Sequence, residues 1–186
     1  ALDAIQLAAR ALPGDGWPAR VGEGRPHGPA EKFLALARQQ VRARSADGAG
    51  MQALECDTGQ PVEGLLAAAA ELGRQLEKIV LPLQVLRLCL AAKLDDEAAE
   101  LDGNTRLRID AMARAIERRG EDALKAWQGM LRALASGTPP EFVDWFAIER
   151  LDGRDFDVGM HRHWVDPMLP FSKLVAERAH GLAVTS

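Results

Sequence analysis

Residues 62–94, VEGLLAAAAELGRQLEKIVLPLQVLRLCLAAKL, decide the fold class, because their apolar side chains recur at helical spacing. In the first half of this stretch the steps alternate between three and four residues, which is the pattern of a helix packed along a partner helix. The positions concerned are Leu65, Ala69, Leu72, Leu76 and Ile79. Pro82 interrupts the pattern and suits the first turn of a helix, where its missing N–H costs little. We therefore predict two consecutive helices that meet at Pro82.

Upstream of this stretch, helix-breaking residues separate two shorter helical segments. Apolar spacing predicts a first helix over residues 2–12 and another from Phe33 to Arg44. Between them, residues 13–30 hold four prolines and five glycines, which predict a loop. The following residues are polar and glycine-rich, and they predict at most a short strand near residues 52–56.

Downstream, two further helices complete a predicted helical bundle. Apolar spacing over residues 109–116 marks one face of a helix opened by Asn104 or Thr105, for which Gly120 is the expected stop. A fourth helix is expected over residues 124–134 and ends before the Gly-Thr-Pro-Pro of residues 137–140. Residues 1–140 are therefore predicted to form one helical unit.

The residue composition of the chain changes after residue 140. Aromatic and β-branched residues over 142–150 and 156–165 flank Asp152-Gly153, a dipeptide typical of tight hairpin turns. A short helix over residues 170–178 and a strand at residues 182–184 are expected to follow. The predicted fold is thus mainly α: a helical bundle, then a β-hairpin and a short α/β fragment.

Composition and charge narrow the possible functions. The chain has 23 Lys and Arg against 27 Asp and Glu, a formal net charge of −4, so any nucleic-acid contact has to come from a local basic patch. The two cysteines, Cys56 and Cys89, are too few for a disulfide framework or a four-thiolate iron–sulfur cluster. No stretch is long and apolar enough to cross a bilayer. These features predict a cytoplasmic location without membrane contact.

Motifs of the common nucleotide-binding and hydrolase classes are absent from this sequence. It contains no glycine-rich loop ending in Gly-Lys-Ser/Thr, no Gly-x-Gly-x-x-Gly and no Gly-x-Ser-x-Gly. His161-x-His163 places two imidazoles on one side of a strand, and Asp157, Glu149 or His180 are the side chains available to complete a metal site. Because no spacing fixes these additional ligands, we interpret the histidine pair as polar surface and predict no metal.

The predicted third helix has the strongest local basic character. Residues 105–119 contain five arginines against Asp110 and Glu117. We expect phosphate contacts from this helix, although a charged helix face is also the ordinary pattern of simple solvation. Arg162 joins the candidates because it lies among the aromatic residues of the hairpin, which are suited to base stacking. The DNA-contact candidates are Arg106, Arg108, Arg114, Arg118 and Arg162.

The C-terminal sequence resembles bacterial DinG-like helicases, superfamily 2 enzymes related to the XPD repair helicase. The similarity lies in Asp144-Trp145-Phe146, in residues 157–167, DVGMHRHWVDP, and in residues 179–186, AHGLAVTS. In that family a strand runs into helicase motif III, Thr-Ser-Ala-Thr-Leu, of which Thr185 and Ser186 would be the first two residues. The same family carries a helical arch between its DEAH-type box and motif III, and the upstream helices would occupy that position.

The resemblance implies that the chain is an internal piece of an ATP-dependent DNA helicase acting in DNA repair or replication. Residues 1–140 would be the arch insertion, which guides or encloses single-stranded DNA, and residues 141–186 would belong to the first RecA-like motor domain, cut within motif III. ATP and Mg²⁺ would bind the parent enzyme outside this chain, and an iron–sulfur cluster in the parent stays an open question. The implied partners are single-stranded DNA and the other motor domains. The isolated chain is expected to show only background ATP hydrolysis.

Two other functions fit the sequence pattern. A free-standing helical adaptor would bind a protein partner through Trp127 or through the leucine seam, the periodic apolar positions from Leu65 to Ile79. It would show no preference for DNA. A metalloenzyme built on His161 and His163 would bind a stoichiometric metal ion.

Overall fold

A computed structural model of the chain describes residues 2–45, 53–96, 100–176 and 179–181. Within these ranges the chain forms seven α-helices, one π-helical segment and a three-stranded antiparallel sheet. The predicted fold class, mainly α with a β-hairpin, is confirmed.

Three helices and the π-helical segment form an antiparallel helical hairpin. The elements are α4 (Leu65–Asp95), α5 (Gly103–Ala115), the π-helical segment Ile116–Asp122 and α6 (Ala123–Ser136). The predicted break at Pro82 is wrong, because α4 runs through it. A proline inside a helix costs about 3 kcal/mol through a lost hydrogen bond and a clash with the preceding turn. Near the proline, Ile79 and Val80 are buried and Leu83 is partly buried, and the burial of these apolar side chains offsets that cost.

Gly120 does not end a helix, although the sequence predicted a stop there. It lies within the π-helical segment, and a Cβ atom at this position would stand 3.1 Å from Cδ1 of Leu83. The glycine therefore permits a close approach to α4 instead of a chain reversal. At the start of α5, the cap is Asp102, whose carboxylate accepts a hydrogen bond from the backbone N–H of Thr105 at 3.0 Å.

The N-terminal region is more helical than its proline and glycine content predicted. Helix α1 covers Leu2–Ala9, α2 covers Trp17–Gly22 and α3 covers Gly28–Arg44. Prolines occupy the first turns of α2 and α3, where no backbone N–H donor is needed. The loop predicted over residues 13–30 is therefore wrong at residues 17–22 and 28–30, because these prolines start helices instead of breaking them.

A buried carboxylate, Glu31, links the short N-terminal segments. Its oxygens accept hydrogen bonds from Nε of Arg20 at 2.9 Å and from the backbone N–H groups of His27 at 2.8 Å and Gly14 at 3.4 Å. The hydrogen bonds from the Arg20 guanidinium are the main reason why the pKa of Glu31 falls from 4.5 to about 2. Glu31 thus satisfies backbone donors before α3 and anchors the segment between α1 and α2 to it.

The sheet has the strand order β1-β2-β3, and its strands are β1 (Ala53–Asp57), β2 (Phe142–Leu151) and β3 (Arg154–Trp164). Strands β2 and β3 form the predicted hairpin around Asp152-Gly153, whose φ angles of 51° and 78° are those of a tight primed turn. The predicted short strand is β1, in which Leu54 pairs with Ile148 of β2. One sheet therefore contains residues from both sides of the predicted boundary at residue 140.

The hydrophobic core contains residues of the sheet and of helices α3, α4 and α6. Phe33 of α3 and Phe146 of β2 are fully buried, and their ring centroids are 6.2 Å apart. The assignment of residues 141–186 to a motor domain stays a prediction.

After the sheet, α7 covers Met168–Ala176 and begins two residues earlier than predicted, with Pro170 in its first turn. The strand expected at residues 182–184 lies outside the described residues. In the described part of the chain, no helix combines the length and the apolar character that a membrane span requires.

Candidate nucleic-acid interface

Arg106, the first of the five predicted DNA contacts, is used within the fold. Its Nη1 donates a hydrogen bond to the carbonyl oxygen of Leu94 at 2.7 Å, and its Nε donates to that of Leu101 at 3.4 Å. These bonds tie the start of α5 to the end of α4. Arg106 is therefore a structural residue of the helical hairpin, and its guanidinium does not face solvent freely.

Arg162 is also held inside the structure. Its Nε and Nη2 each donate a hydrogen bond of 2.6 Å to the fully buried carboxylate of Asp144, and its guanidinium lies 4.7 Å from the ring centroid of Phe142. The Asp144 hydrogen bond is the largest cause of a raised pKa for Arg162. Thr138 adds a 3.0 Å hydrogen bond to Asp144. The bidentate pair therefore connects β2 to β3 instead of offering a charge to DNA.

The remaining candidates lie at exposed positions of α5 and the π-helical segment. Arg108 and Arg118 are exposed, as is their neighbour Arg119. None of these three guanidinium groups forms an ion pair with another residue of the described ranges. Arg114 forms an ion pair with Asp110 one turn earlier, with both side chains partly exposed. The structure thus leaves three cations of this segment free to meet a phosphate.

Two of the three acidic residues of the π-helical segment, Glu117 and Glu121, form ion pairs with other elements. Glu121 is 1% exposed and accepts hydrogen bonds from Nε of Arg87 at 2.6 Å and from Nζ of Lys125 at 3.3 Å. Burial raises the pKa of Glu121, but the hydrogen bonds from Arg87 and Lys125 outweigh it and lower the pKa overall. Glu117 lies 4.0 Å from the same Arg87. Arg87 therefore engages Glu121 closely and Glu117 only at the limit of an ion pair, with Glu117 50% exposed. Asp122 is exposed and forms no ion pair in the described ranges, so one negative charge remains beside Arg118 and Arg119.

His161 and His163 lie on the same face of β3, as predicted from the alternation of side chains along a strand. Both rings pack on Trp145 of β2, His161 stacked at a centroid distance of 5.2 Å and His163 edge-on at 4.8 Å. Gly159 makes room for this packing, because a Cβ there would be 2.9 Å from Nε2 of His161. Among the described residues, no group of three potential metal ligands occurs.

A second basic cluster was not predicted from the sequence. Asp155 accepts hydrogen bonds from Nε of Arg38 at 2.7 Å and from Nη2 of Arg42 at 2.6 Å, and Nε of Arg150 lies 3.7 Å from it. Three guanidinium groups thus surround one carboxylate. The spacing of Arg38 and Arg42 by one helical turn is visible in the sequence, but their partner is more than 100 residues away. This cluster fixes the hairpin turn to α3.

The surfaces named for the adaptor hypothesis lie largely in the core. The seam residues are buried: Leu65, Ala69, Leu72, Leu76 and Ile79. Trp127 is half-buried and packs against the same core. A protein partner would therefore have to use other side chains. Thr185 and Ser186, the motif III residues implied by the resemblance, lie outside the described residues.

Comparisons of this chain with protein-family models, with curated proteins and with solved structures find no match.

Proposed function

We propose that the chain binds single-stranded DNA through α5 and the π-helical segment, as the arch region of a DinG-like, ATP-dependent helicase. The observation that carries the proposal is the exposure of Arg108, Arg118 and Arg119 without an acidic partner in the described ranges. Of the nearby acids, Glu121 is paired with Arg87 and Lys125, and Asp110 with Arg114, while Asp122 is exposed. Three exposed arginines against this one carboxylate leave a local positive excess on a chain whose net charge is negative.

The position of these arginines suits an extended polyanion better than a small anion. Arg108 and Arg119 are separated by about three helical turns, about 16 Å along the axis, so one phosphate cannot contact both. A strand lying along the segment can bring successive phosphates to successive guanidinium groups. Leu107 and Met112 are 67% and 55% exposed on the same helix and can contact sugars and bases.

In this proposal, ATP hydrolysis and DNA unwinding require parts of the parent enzyme outside this chain. ATP and Mg²⁺ would bind outside this chain, the hairpin would connect the arch to the first motor domain, and the enzyme would act in the cytoplasm during DNA repair or replication. The DinG-like sequence of residues 157–167 supports this part.

A charge-reversal experiment tests the proposed interface. The triple variant Arg108→Glu/Arg118→Glu/Arg119→Glu is compared with Arg10→Glu/Lys32→Glu/Arg132→Glu, which changes the net charge equally at exposed positions elsewhere. Fluorescence anisotropy with a labelled oligothymidylate is the measurement. We expect the first variant to lose at least about tenfold in affinity, and the control to stay within about threefold of the unmodified chain. Equal losses in the two variants would contradict a localised interface.

A further inference from the structure

Helix α4 carries a second apolar seam that no element of the described ranges covers. In its C-terminal half, Leu81, Val85 and Leu88 are 55%, 54% and 58% exposed, and Ala92 continues the same line. The steps between them are four, three and four residues, the spacing of positions that face a partner helix in a coiled coil. The half-buried residues Leu83 and Leu94 lie on other sides of the helix. Large apolar side chains at such spacing are typical of an interaction surface.

The charges at the two ends of this seam identify its partner. The same three- and four-residue spacing places Lys78 before Leu81 on this line and Asp95 after Ala92. Both charged residues are exposed. A second, antiparallel copy of α4 places Val85 against Leu88 of the other copy. It also places Leu81 against the smaller Ala92, so every position of the apolar run meets an apolar one. The same register places Lys78 opposite Asp95 at both ends. We infer that the chain forms an antiparallel homodimer through this seam of α4.

Other antiparallel alignments that keep the two seams facing each other are less favourable. A shift of the second copy by one heptad in one direction places Val85 of one copy against Asp95 of the other. The opposite shift places Lys78 against Leu88. Each shift buries a charge against an apolar side chain, which is costly without a partner. The central flanking positions Pro82, Gln84, Cys89 and Ala91 are uncharged, so no like-charge repulsion arises there, and the outer flanking positions Glu77 and Asp96 are acidic. This inference is independent of the proposed DNA interface, which lies on α5 and the π-helical segment.

A charge-swap series, read by sedimentation equilibrium, tests the dimer. Lys78→Asp places two carboxylates together at each end of the seam and is expected to raise the dimer dissociation constant at least about tenfold. Adding Asp95→Lys restores opposite charges and is expected to return the constant to within about threefold of its original value. Lys32→Asp in α3 makes the same change in net charge away from the seam and is the matched control.

Zero-length carbodiimide cross-linking gives a second readout on the unmodified chain. Lys78 and Asp95 of one copy are 17 residues apart on one helix, about 25 Å, so an amide between them has to join two copies. Cross-linked peptides containing these two residues are the expected product. A monomer at all concentrations up to about 200 µM would overturn the inference. So would a dimer that is insensitive to Lys78→Asp, since a different surface would then hold it together. Circular dichroism of each variant checks that the helices are retained.

Discussion

The buried Glu31 leads to the most quantitative prediction, a pH-dependent loss of stability in the variant Glu31→Gln. The pKa of Glu31 is lowered from 4.5 to about 2, chiefly by its hydrogen bonds with Arg20. One pKa unit corresponds to about 1.4 kcal/mol, so the shift corresponds to about 3.4 kcal/mol before solvent screening. Because the Arg20 side chain is 26% exposed, we discount this to about 2 kcal/mol. Glu31→Gln is therefore expected to lower the free energy of unfolding by about 2 kcal/mol at pH 7.

The sign of the pH dependence follows from the direction of the shift. A carboxyl group with a lowered pKa in the folded state stabilises the fold above pH 4.5, and this contribution is lost as the pH falls toward 2. The difference in stability between the original chain and Glu31→Gln should consequently shrink to less than half at pH 3. Urea denaturation measured at both pH values gives this difference, and at pH 7 the midpoint should fall by about 1 M.

A matched control separates burial from simple charge removal. Glu23 forms an ion pair with Arg25, but both side chains are largely exposed. Glu23→Gln should change stability by less than about 0.5 kcal/mol, as is usual for surface ion pairs. A difference for Glu31→Gln that is equally small, or that is the same at pH 3 and pH 7, would refute the role assigned to this carboxylate.

Two further predictions concern the helical hairpin and the sheet. Asp144→Asn leaves the guanidinium of Arg162 without its buried anion, and we expect thermal unfolding to show a loss of about 3 kcal/mol; a loss below about 1 kcal/mol would show that the pair does not hold β2 to β3. Pro82→Ala restores a backbone N–H inside α4 and should stabilise the chain by about 1–2 kcal/mol in urea denaturation; destabilisation would mean that the proline is required for the path of the helix.

The sequence predicted the elements whose signals extend over many residues. The leucine seam of α4 is periodic over four turns, and the hairpin combines two apolar strands with an Asp-Gly turn. Both were therefore recoverable without tertiary information. Pro82 and Gly120 were misinterpreted as helix boundaries because each is a single-residue signal. Packing of α4 against the π-helical segment, where Gly120 approaches Leu83, outweighs those local preferences.

The candidate site was only partly predictable for a different reason. Sequence shows which arginines are close along the chain, but the availability of a charge depends on distant partners. Arg106 is held by the carbonyl of Leu94, and Arg162 is held by Asp144, 18 residues earlier. Conversely, Glu121 is withdrawn from the exposed arginines by its ion pair with Arg87 of another helix. The helical periodicity of the sequence cannot predict any of these contacts.

The most direct test of the proposed function is the salt dependence of single-stranded DNA binding by the original chain and by Arg108→Glu/Arg118→Glu/Arg119→Glu. Each phosphate neutralised on a single strand contributes about 0.7 to the slope of log affinity against log salt concentration. Three arginine contacts should therefore give the original chain a slope about 2 units steeper than that of the variant. Equal slopes, or no measurable binding by the original chain at low salt, would contradict the proposal that the exposed arginines of α5 and the π-helical segment bind DNA.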